Sequence, residues 1–288
     1  MTDESMLGVI GGSGLYTIQG LEVVEEISPE TPFGAPSAPI VVGRLAGRRV
    51  AFLARHGRGH HLTPSEVNYR ANVYALKALG VQRVLSISAC GSLREDIAPG
   101  DIVVPDQLFD HTRGRARSFF GEGIVVHVGV ADPFCPQLSP LVADSVAAQG
   151  GRVHRHGTLI TIEGPRFSTR AESHVYRGWG MSVIGMTASP EAFLAREAEL
   201  CYAVLAHVTD YDVWHQTAEP VSVEAVIRTL QGNARLAEAA LRGLIARIPE
   251  ERTCSCGSAL RSAFITSPEA IPIETRRRLS LLVDPYLG

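Results

Sequence analysis

No run in this 288-residue chain approaches the ~20 consecutive apolar residues that cross a bilayer. The N-terminus also lacks the charged flank plus apolar run of a signal peptide, so a soluble, cytoplasmic protein with no membrane partner is expected. Charge of one sign is missing too. Lys plus Arg number 27 against 30 Asp plus Glu, which leaves no bulk basic field to gather nucleic acid and points to a small-molecule partner. Cysteine is scarce and odd in number, with five spread along the chain. Cys90, Cys135 and Cys201 lie in apolar surroundings, where a thiol packs as a small hydrophobe. Cys254 and Cys256 are one residue apart, too tight for the usual zinc knuckle, and read equally as a local redox pair or as two unlinked thiols. Apolar residues are not scarce: at 45% they support a core large enough for one large domain or two small ones.

Strands and helices alternate along the chain. Residues 7–10 form a short apolar run ended by Gly11, Gly12, Ser13 and Gly14, a buried strand feeding a backbone-exposing loop. Residues 29–39 read as an extended connector. Residues 50–54 are a strand that delivers Arg55 and His56, and Thr63, Pro64 and Glu66 predict a capped helix that stops at Gly80. Further strands are expected at 84–88, 158–162, 183–186 and 202–208. Helices are expected from Pro140 capped by Ser139, from Arg170 capped by Thr169 with Glu172, and at Ser189 and Pro190. Val223, Val226, Leu230, Ala234, Ala237, Leu241, Leu244 and Ile248 step by three and four, marking one long amphipathic helix capped by Ser222. This grammar predicts an α/β fold, a single domain with a central mixed sheet flanked by helices, whose ligand sits at the carboxyl ends of strands.

Those strand ends carry the chemistry. Gly11 to Gly14 has neither the Gly-Lys-Ser/Thr of a P-loop nor the third glycine of a dinucleotide fingerprint, and reads as an anion nest or as a plain turn. Arg55 offers a fork of donors to phosphate and Thr187 a hydroxyl. His56, His60 and His61 invite a metal, but Gly57 and Gly59 argue against a helix and no nearby acid completes the set, so no metal is expected there. His56 beside Arg55 is better suited to the anion. Asp210 and Asp212, two apart after an apolar strand, would share one side and raise each other's pKa, letting one keep a proton for a leaving group. The same run also reads as a solvated turn.

The strings Ile10-Gly-Gly-Ser-Gly-Leu15, Ala54-Arg-His-Gly-Arg58, Val67-Asn-Tyr-Arg-Ala-Asn72, Ser88-Ala-Cys-Gly-Ser92, Glu163-Gly-Pro-Arg-Phe-Ser168, Gly185-Met-Thr187 and Thr209-Asp-Tyr-Asp212 resemble the trimeric purine nucleoside phosphorylases. Within that family they are most similar to the 5'-methylthioadenosine phosphorylase branch. The resemblance runs over about residues 7–248, which suggests a phosphorylase domain at 1–250 and a C-terminal extension of unknown role at 251–288. It implies a reaction in which phosphate attacks C1' of a 5'-deoxy-5'-(methylthio) purine nucleoside, with no cofactor and with phosphate as co-substrate. By the same resemblance Ser13, Arg55, His56, Ser88, Ala89 and Thr187 would hold phosphate and Met186 would lie under the ribose. Phe167 would stack on the base, Asp210 and Asp212 would meet N7 and the 6-amino group, and His127 would reach a neighbouring subunit's sugar. A homotrimer follows, with pairing of trimers left open.

Three positions bear on substrate choice. The acceptor-rich aspartate pair suits a 6-amino purine, whereas a 6-oxo group would set acceptor against acceptor. Ser168 stands where 6-oxopurine-specific relatives carry a glutamate. Val223 and Val226 match positions lining the 5' pocket and would favour methylthio over hydroxyl, although both also fit the core stripe of their helix. Ser13 replaces a common threonine and keeps the hydroxyl. Two other readings are a nucleotide-binding protein without turnover and a water-using nucleoside hydrolase, which the phosphate-like residues disfavour.

Overall fold

A computed structural model describes residues 6–12, 18–215 and 223–287. In chain order the elements are β1 (Met6–Gly11), β2 (Glu22–Ile27), β3 (Ile40–Leu45), β4 (Arg48–Ala54), α1 (Tyr69–Ala78), β5 (Val81–Ser92), β6 (Ile102–Val103), β7 (Gln107–His111) and α2 (Leu138–Ala147). There follow β8 (Val153–His154), β9 (Thr158–Ile162), α3 (Arg170–Gly178), β10 (Val183–Gly185), α4 (Ala188–Glu197), β11 (Cys201–Asp210), α5 (Val223–Arg247), α6 (Ile273–Arg278) and α7 (Ser280–Leu287). One mixed sheet runs β2-β3-β4-β1-β5-β10-β9-β7, with β11 on the other edge of β5 and β6 and β8 beyond it. Helix α1 packs with α4 and α2 with α5, and all four lie against the sheet. None of the described helices is long and apolar enough to cross a membrane.

The middle of the sheet forms where the sequence is most apolar. β1 and β11 are buried almost end to end, as expected of parallel strands covered on both faces. α3 begins at Arg170 because Thr169 accepts from the Glu172 N–H while the Glu172 carboxylate accepts from the Thr169 N–H, the reciprocal box its spacing predicts. The other predicted box does not open a helix. Glu66 accepts from the Thr63 N–H at 2.9 Å, but the hydroxyl half is absent and residues 63–67 make a turn. Asn68 caps α1 instead, accepting from the Ala71 N–H. α2 likewise starts at Leu138, ahead of the expected Ser139 cap. β2 escapes notice in the sequence because Glu22–Ile27 is exposed along nearly its whole length and shows no alternation. Its three glutamates are the charge that keeps an edge strand from pairing further.

β5 sets up the site. It was expected to end at Ser88 but runs on to Ser92. β11 fills one edge of it, while the other edge is shared: β1 pairs only as far as Ile87, and antiparallel β10 begins at Gly91. Residues 88–90 therefore lie at a gap in the sheet.

The tail beyond α5 joins the same core, with Ile271, Leu279, Leu282, Val283 and Leu287 buried against it. Residues 263–266 pair with the segment that carries His127, through Ile265 N–H to Val125 C=O at 3.0 Å and His127 N–H to Ala263 C=O at 2.8 Å.

Glu197, at the end of α4, gives a pH test of this packing. Burial pushes its pKa from 4.5 up to about 7, against hydrogen bonds from the Phe119 N–H and the Ser118 hydroxyl. The folded state thus binds this proton more tightly than the unfolded chain does. Its contribution is present at low pH and is lost as pH rises from about 4.5 through about 7, roughly 3 kcal/mol in all. Denaturant midpoints of Glu197→Gln relative to the parent chain should therefore rise steadily between those pH values. A pH-independent difference would show that the carboxyl is already charged when folded.

Candidate active site

The gap beside β5 gathers most of the residues expected at an anion. Backbone alternation points the Ala89 N–H and C=O to the side where the Ile87 C=O accepts from the Gly12 N–H at 2.9 Å. β1 has ended there and β10 has not begun, so this stretch of β5 backbone is left for a ligand. Ser88 and Thr187 are both buried and their hydroxyl oxygens stand 3.4 Å apart. Thr187 is the N-cap residue of α4, yet its hydroxyl makes no capping bond. Ser13 lies outside the described residues.

Arg55 reaches the gap from beneath, in a different attitude from the one expected. Its Nε and Nη2 bind Glu191 in bidentate fashion at 2.9 and 3.2 Å, and Nη2 also donates to Ser86 Oγ at 2.6 Å. The fork assigned to phosphate is taken by Glu191. Only Nη1 faces the glycine loop, 3.3 Å from the Ile87 C=O. A Cβ on Gly12 would stand 2.7 Å from that nitrogen and 2.6 Å from the Ile87 oxygen, so only glycine fits. Burial works against the Arg55 charge, but the carboxylate beside it prevails and holds the pKa above the ordinary value.

His56 is neutral. Burial first, then Arg55, lowers its pKa to about 4. Its Nδ1 lies 2.9 Å from the Leu62 carbonyl, which can only accept, so Nδ1 carries the proton and Nε2 is an acceptor. Such a ring can take a hydrogen bond from the P–OH of hydrogen phosphate.

The two aspartates stand at the end of β11, beside Gly91 of β5. Strand alternation ends at Asp210, and it is a turn that brings Asp212 back: Asp212 has φ of 50°, and its N–H donates to Asp210 Oδ1 at 2.7 Å. Both pKa values are raised, and here the expected cause is corrected. Burial is the largest contributor for each, while the Asp212 charge is the smallest influence on Asp210. The Thr209 hydroxyl lies 2.6 Å from Asp210 Oδ2 and 3.1 Å from the Cys90 carbonyl. With a single proton, it can donate to the carboxylate, or donate to Cys90 and accept from a protonated Asp210, so either state of the acid is accommodated. Asp212 Oδ2 is buried without a hydrogen-bond partner, as are the hydroxyls of Ser168 and Ser173, which lie close enough to favour the Asp212 charge. Unmatched buried acceptors and donors in one place are what a polar ligand satisfies. Gly91 keeps the floor low, since a Cβ there would meet Asp210 Oδ1 at 2.9 Å.

Between the two halves run Met186 and the 163–168 loop. Arg115 fastens both, donating from Nη1 to the Met186 and Ser189 carbonyls at 2.6 and 2.7 Å and from Nη2 to the Glu163 carbonyl at 2.7 Å. Phe167 remains 42% exposed, leaving a ring face to stack on a ligand. His127 is exposed on the segment held by the tail, and among the described residues its ring makes no hydrogen bond to the aspartates, Ser88 or Thr187. Val223 and Val226 fall on the first turns of α5, where the described residues do not extend to side chains. Glu191 and Arg115 were missed. Glu191 sits in the first turn of α4, where an acid looks like ordinary helix-end charge, and its only signal was the need of a buried arginine for a partner.

Known proteins resemble the chain in both sequence and fold. A sequence profile of the phosphorylase superfamily matches residues 6–246. The S-methyl-5'-thioadenosine phosphorylase of Geobacter sulfurreducens is 55% identical over 285 residues, spanning 99% of this chain and all of that one. The enzyme of the same name from Chloroflexus aurantiacus is 53% identical, spanning 97% of this chain and 98% of its own. The crystal structure of a methylthioadenosine phosphorylase from an antarctic soil metagenomic library superposes with a TM-score of 0.92 at 47% identity, over 97% of this chain and 99% of the other. A methylthioadenosine phosphorylase from Schistosoma mansoni in complex with adenine gives 0.83 at 38% identity, over 86% and 93%.

Proposed function

The chain belongs to the phosphorylase superfamily, and within it we propose that the protein cleaves 5'-methylthioadenosine with phosphate, yielding adenine and 5-methylthioribose 1-phosphate. It is then a pentosyltransferase of purine and methionine salvage. One observation carries the reading: a gap in the sheet beside β5, next to the buried Ser88 and Thr187 hydroxyls, and a carboxylate pair at the end of β11, Asp212 buried and Asp210 half-buried, are built on the same two paired strands. Phosphorolysis needs both. A phosphate oxygen bonds to C1' as the C1'–N9 bond breaks, its electrons pass to the purine, and a proton reaches N7. A phosphate anion on one side stabilises the cationic sugar, and an acid on the other stabilises the leaving base.

Ser13, Ser88, Ala89, Thr187 and His56 hold the phosphate, with Arg55 adding one N–H from Nη1. Asp210 protonates N7 and Asp212 accepts from the 6-amino group, a role favoured by its unpartnered oxygen. Phe167 stacks on the base and Met186 lies under the ribose. Ser168 leaves no acid for N1–H, while Val223 and Val226 line the 5' pocket. The reaction requires no metal or organic cofactor, and its site is cytoplasmic. His127 completes the sugar site of a neighbouring subunit in a homotrimer. The exposed cluster of Phe109, Val175 and Trp179 beside edge strand β7 supports such contact.

A panel of methylthioadenosine, methylthioinosine, adenosine and inosine, each with and without phosphate, tests the reading. Turnover should require phosphate and be fastest on methylthioadenosine. Equal rates in phosphate-free buffer would mean hydrolysis, and a preference for inosine would overturn the assignment of the aspartate pair.

A further inference from the structure

The cysteines that the sequence left in separate groups converge in the fold. Cys135 precedes α2, Cys201 opens β11, and Cys254 and Cys256 lie at the start of the tail. Their four sulfurs all fall within 4.8 Å of one another. Those of Cys201 and Cys254 are 3.3 Å apart and those of Cys135 and Cys254 3.7 Å. A tetrahedral zinc with Zn–S bonds of ~2.3 Å has sulfur–sulfur edges of about 3.8 Å, so these sulfurs need little movement to enclose one ion. Cys135, Cys201 and Cys256 are buried and Cys254 is half-buried.

The surroundings suit a charged cluster better than four small hydrophobes. The Leu138 N–H donates to Cys135 Sγ at 3.3 Å and Arg196 Nη1 to Cys256 Sγ at 3.8 Å. Arg83, braced by the Glu251 carbonyl at 2.9 Å, lies within electrostatic reach of Cys135, Cys201 and Cys254. Zinc with four thiolates carries a net charge of −2, and guanidinium groups and N–H donors to sulfur are the outer partners that stabilise it. Thiols packed only as apolar groups gain nothing from a buried Arg83 and a half-buried Arg196 beside them.

We propose that Cys135, Cys201, Cys254 and Cys256 bind one zinc ion as a closed tetrathiolate site. Binding releases four protons, one per thiol, and involves no change of oxidation state. Two ligands come from the body and two from the tail, so the ion cross-links them. At ~3.3 Å per residue, the length of β11 sets this site about 30 Å from Asp210, and four protein ligands leave no open position for substrate. The role is structural. It fixes the root of the tail, whose residues 263–266 hold the segment carrying His127.

The test is metal analysis of the full-length protein purified under reducing conditions, which should give one zinc per chain. Exchange with cobalt should produce intense thiolate-to-metal charge-transfer absorption and tetrahedral ligand-field bands. Cys254→Ser, at the least buried ligand, should lose most of both signals, whereas Cys90→Ser, outside the cluster, should keep them. If Cys254→Ser does not fold, the parent chain's zinc content and cobalt spectrum decide the matter alone. Two results overturn the proposal. One is a protein prepared without reductant whose thiol titration after denaturation finds a single free cysteine, the other four being paired as disulfides. The other is a fully reduced protein that contains no metal and takes up no cobalt.

Discussion

Asp210→Asn is expected to lower kcat on methylthioadenosine by roughly 10²-fold or more, the usual scale of a lost general acid, with a smaller change in KM. The substitution keeps the planar shape. An asparagine oxygen can still accept from the Asp212 N–H that now lies 2.7 Å from Oδ1, and the amide can donate to Thr209, whose hydroxyl turns to Cys90. Packing is thus preserved while the titratable proton is removed. The pH profile provides the sharper readout. Burial raises the Asp210 pKa, so the protonated, active form persists to higher pH than for a solvated aspartate and is lost as pH climbs through that raised value. The parent enzyme should show this descending limb in kcat and Asp210→Asn should not. Because the variant swaps an obligate acceptor for a group that also donates, its discrimination against 6-oxo substrates should relax as well. Asp212→Asn, by contrast, should change base preference more than turnover. If Asp210→Asn leaves rate, pH profile and preference untouched, the pair is a turn after a strand.

Much of this arrangement is legible in the chain itself, for reasons that differ by element. β1, β9 and β11 announce themselves because strands buried on both faces must be apolar throughout, and α3 because its cap needs only four consecutive residues. β2, β6 and β8 are too exposed or too short to carry a pattern. The aspartate pair is visible as a motif, but its geometry is not, since the turn at Asp212 replaces the assumed alternation and burial replaces mutual repulsion as the source of the pKa shift. Arg55 shows the limit most clearly. An arginine at a strand end beside a glycine loop suggests phosphate, and nothing local reveals that Glu191, far along the chain, occupies its fork. The cysteines fail for the same reason, because their association is created by the sheet and the tail together.

The Arg55–Glu191 pair is expected to give the largest stability effect in the molecule. Both side chains are 1% exposed, and Tyr202 OH donates to Glu191 Oε2 at 2.7 Å. Removing one partner leaves the other charge buried and uncompensated, so Glu191→Gln and Arg55→Met should each cost about 3–5 kcal/mol in denaturant unfolding. Replacing both with apolar residues of similar size, Arg55→Met with Glu191→Leu, removes the stranded charge and should recover a large part of that loss. The coupling between the two positions should therefore exceed 1 kcal/mol, well outside the additivity expected of independent sites. Function should not recover in parallel. The double variant lacks the one N–H that Arg55 directs at the glycine loop, so its KM for phosphate should stay at least tenfold above the parent value even at temperatures where it is fully folded. Stability and phosphate affinity that return together would mean that Arg55 only braces Glu191 and takes no part in holding the anion. Additive single losses would mean that the two charges are screened from each other by water that the buried geometry leaves no room for.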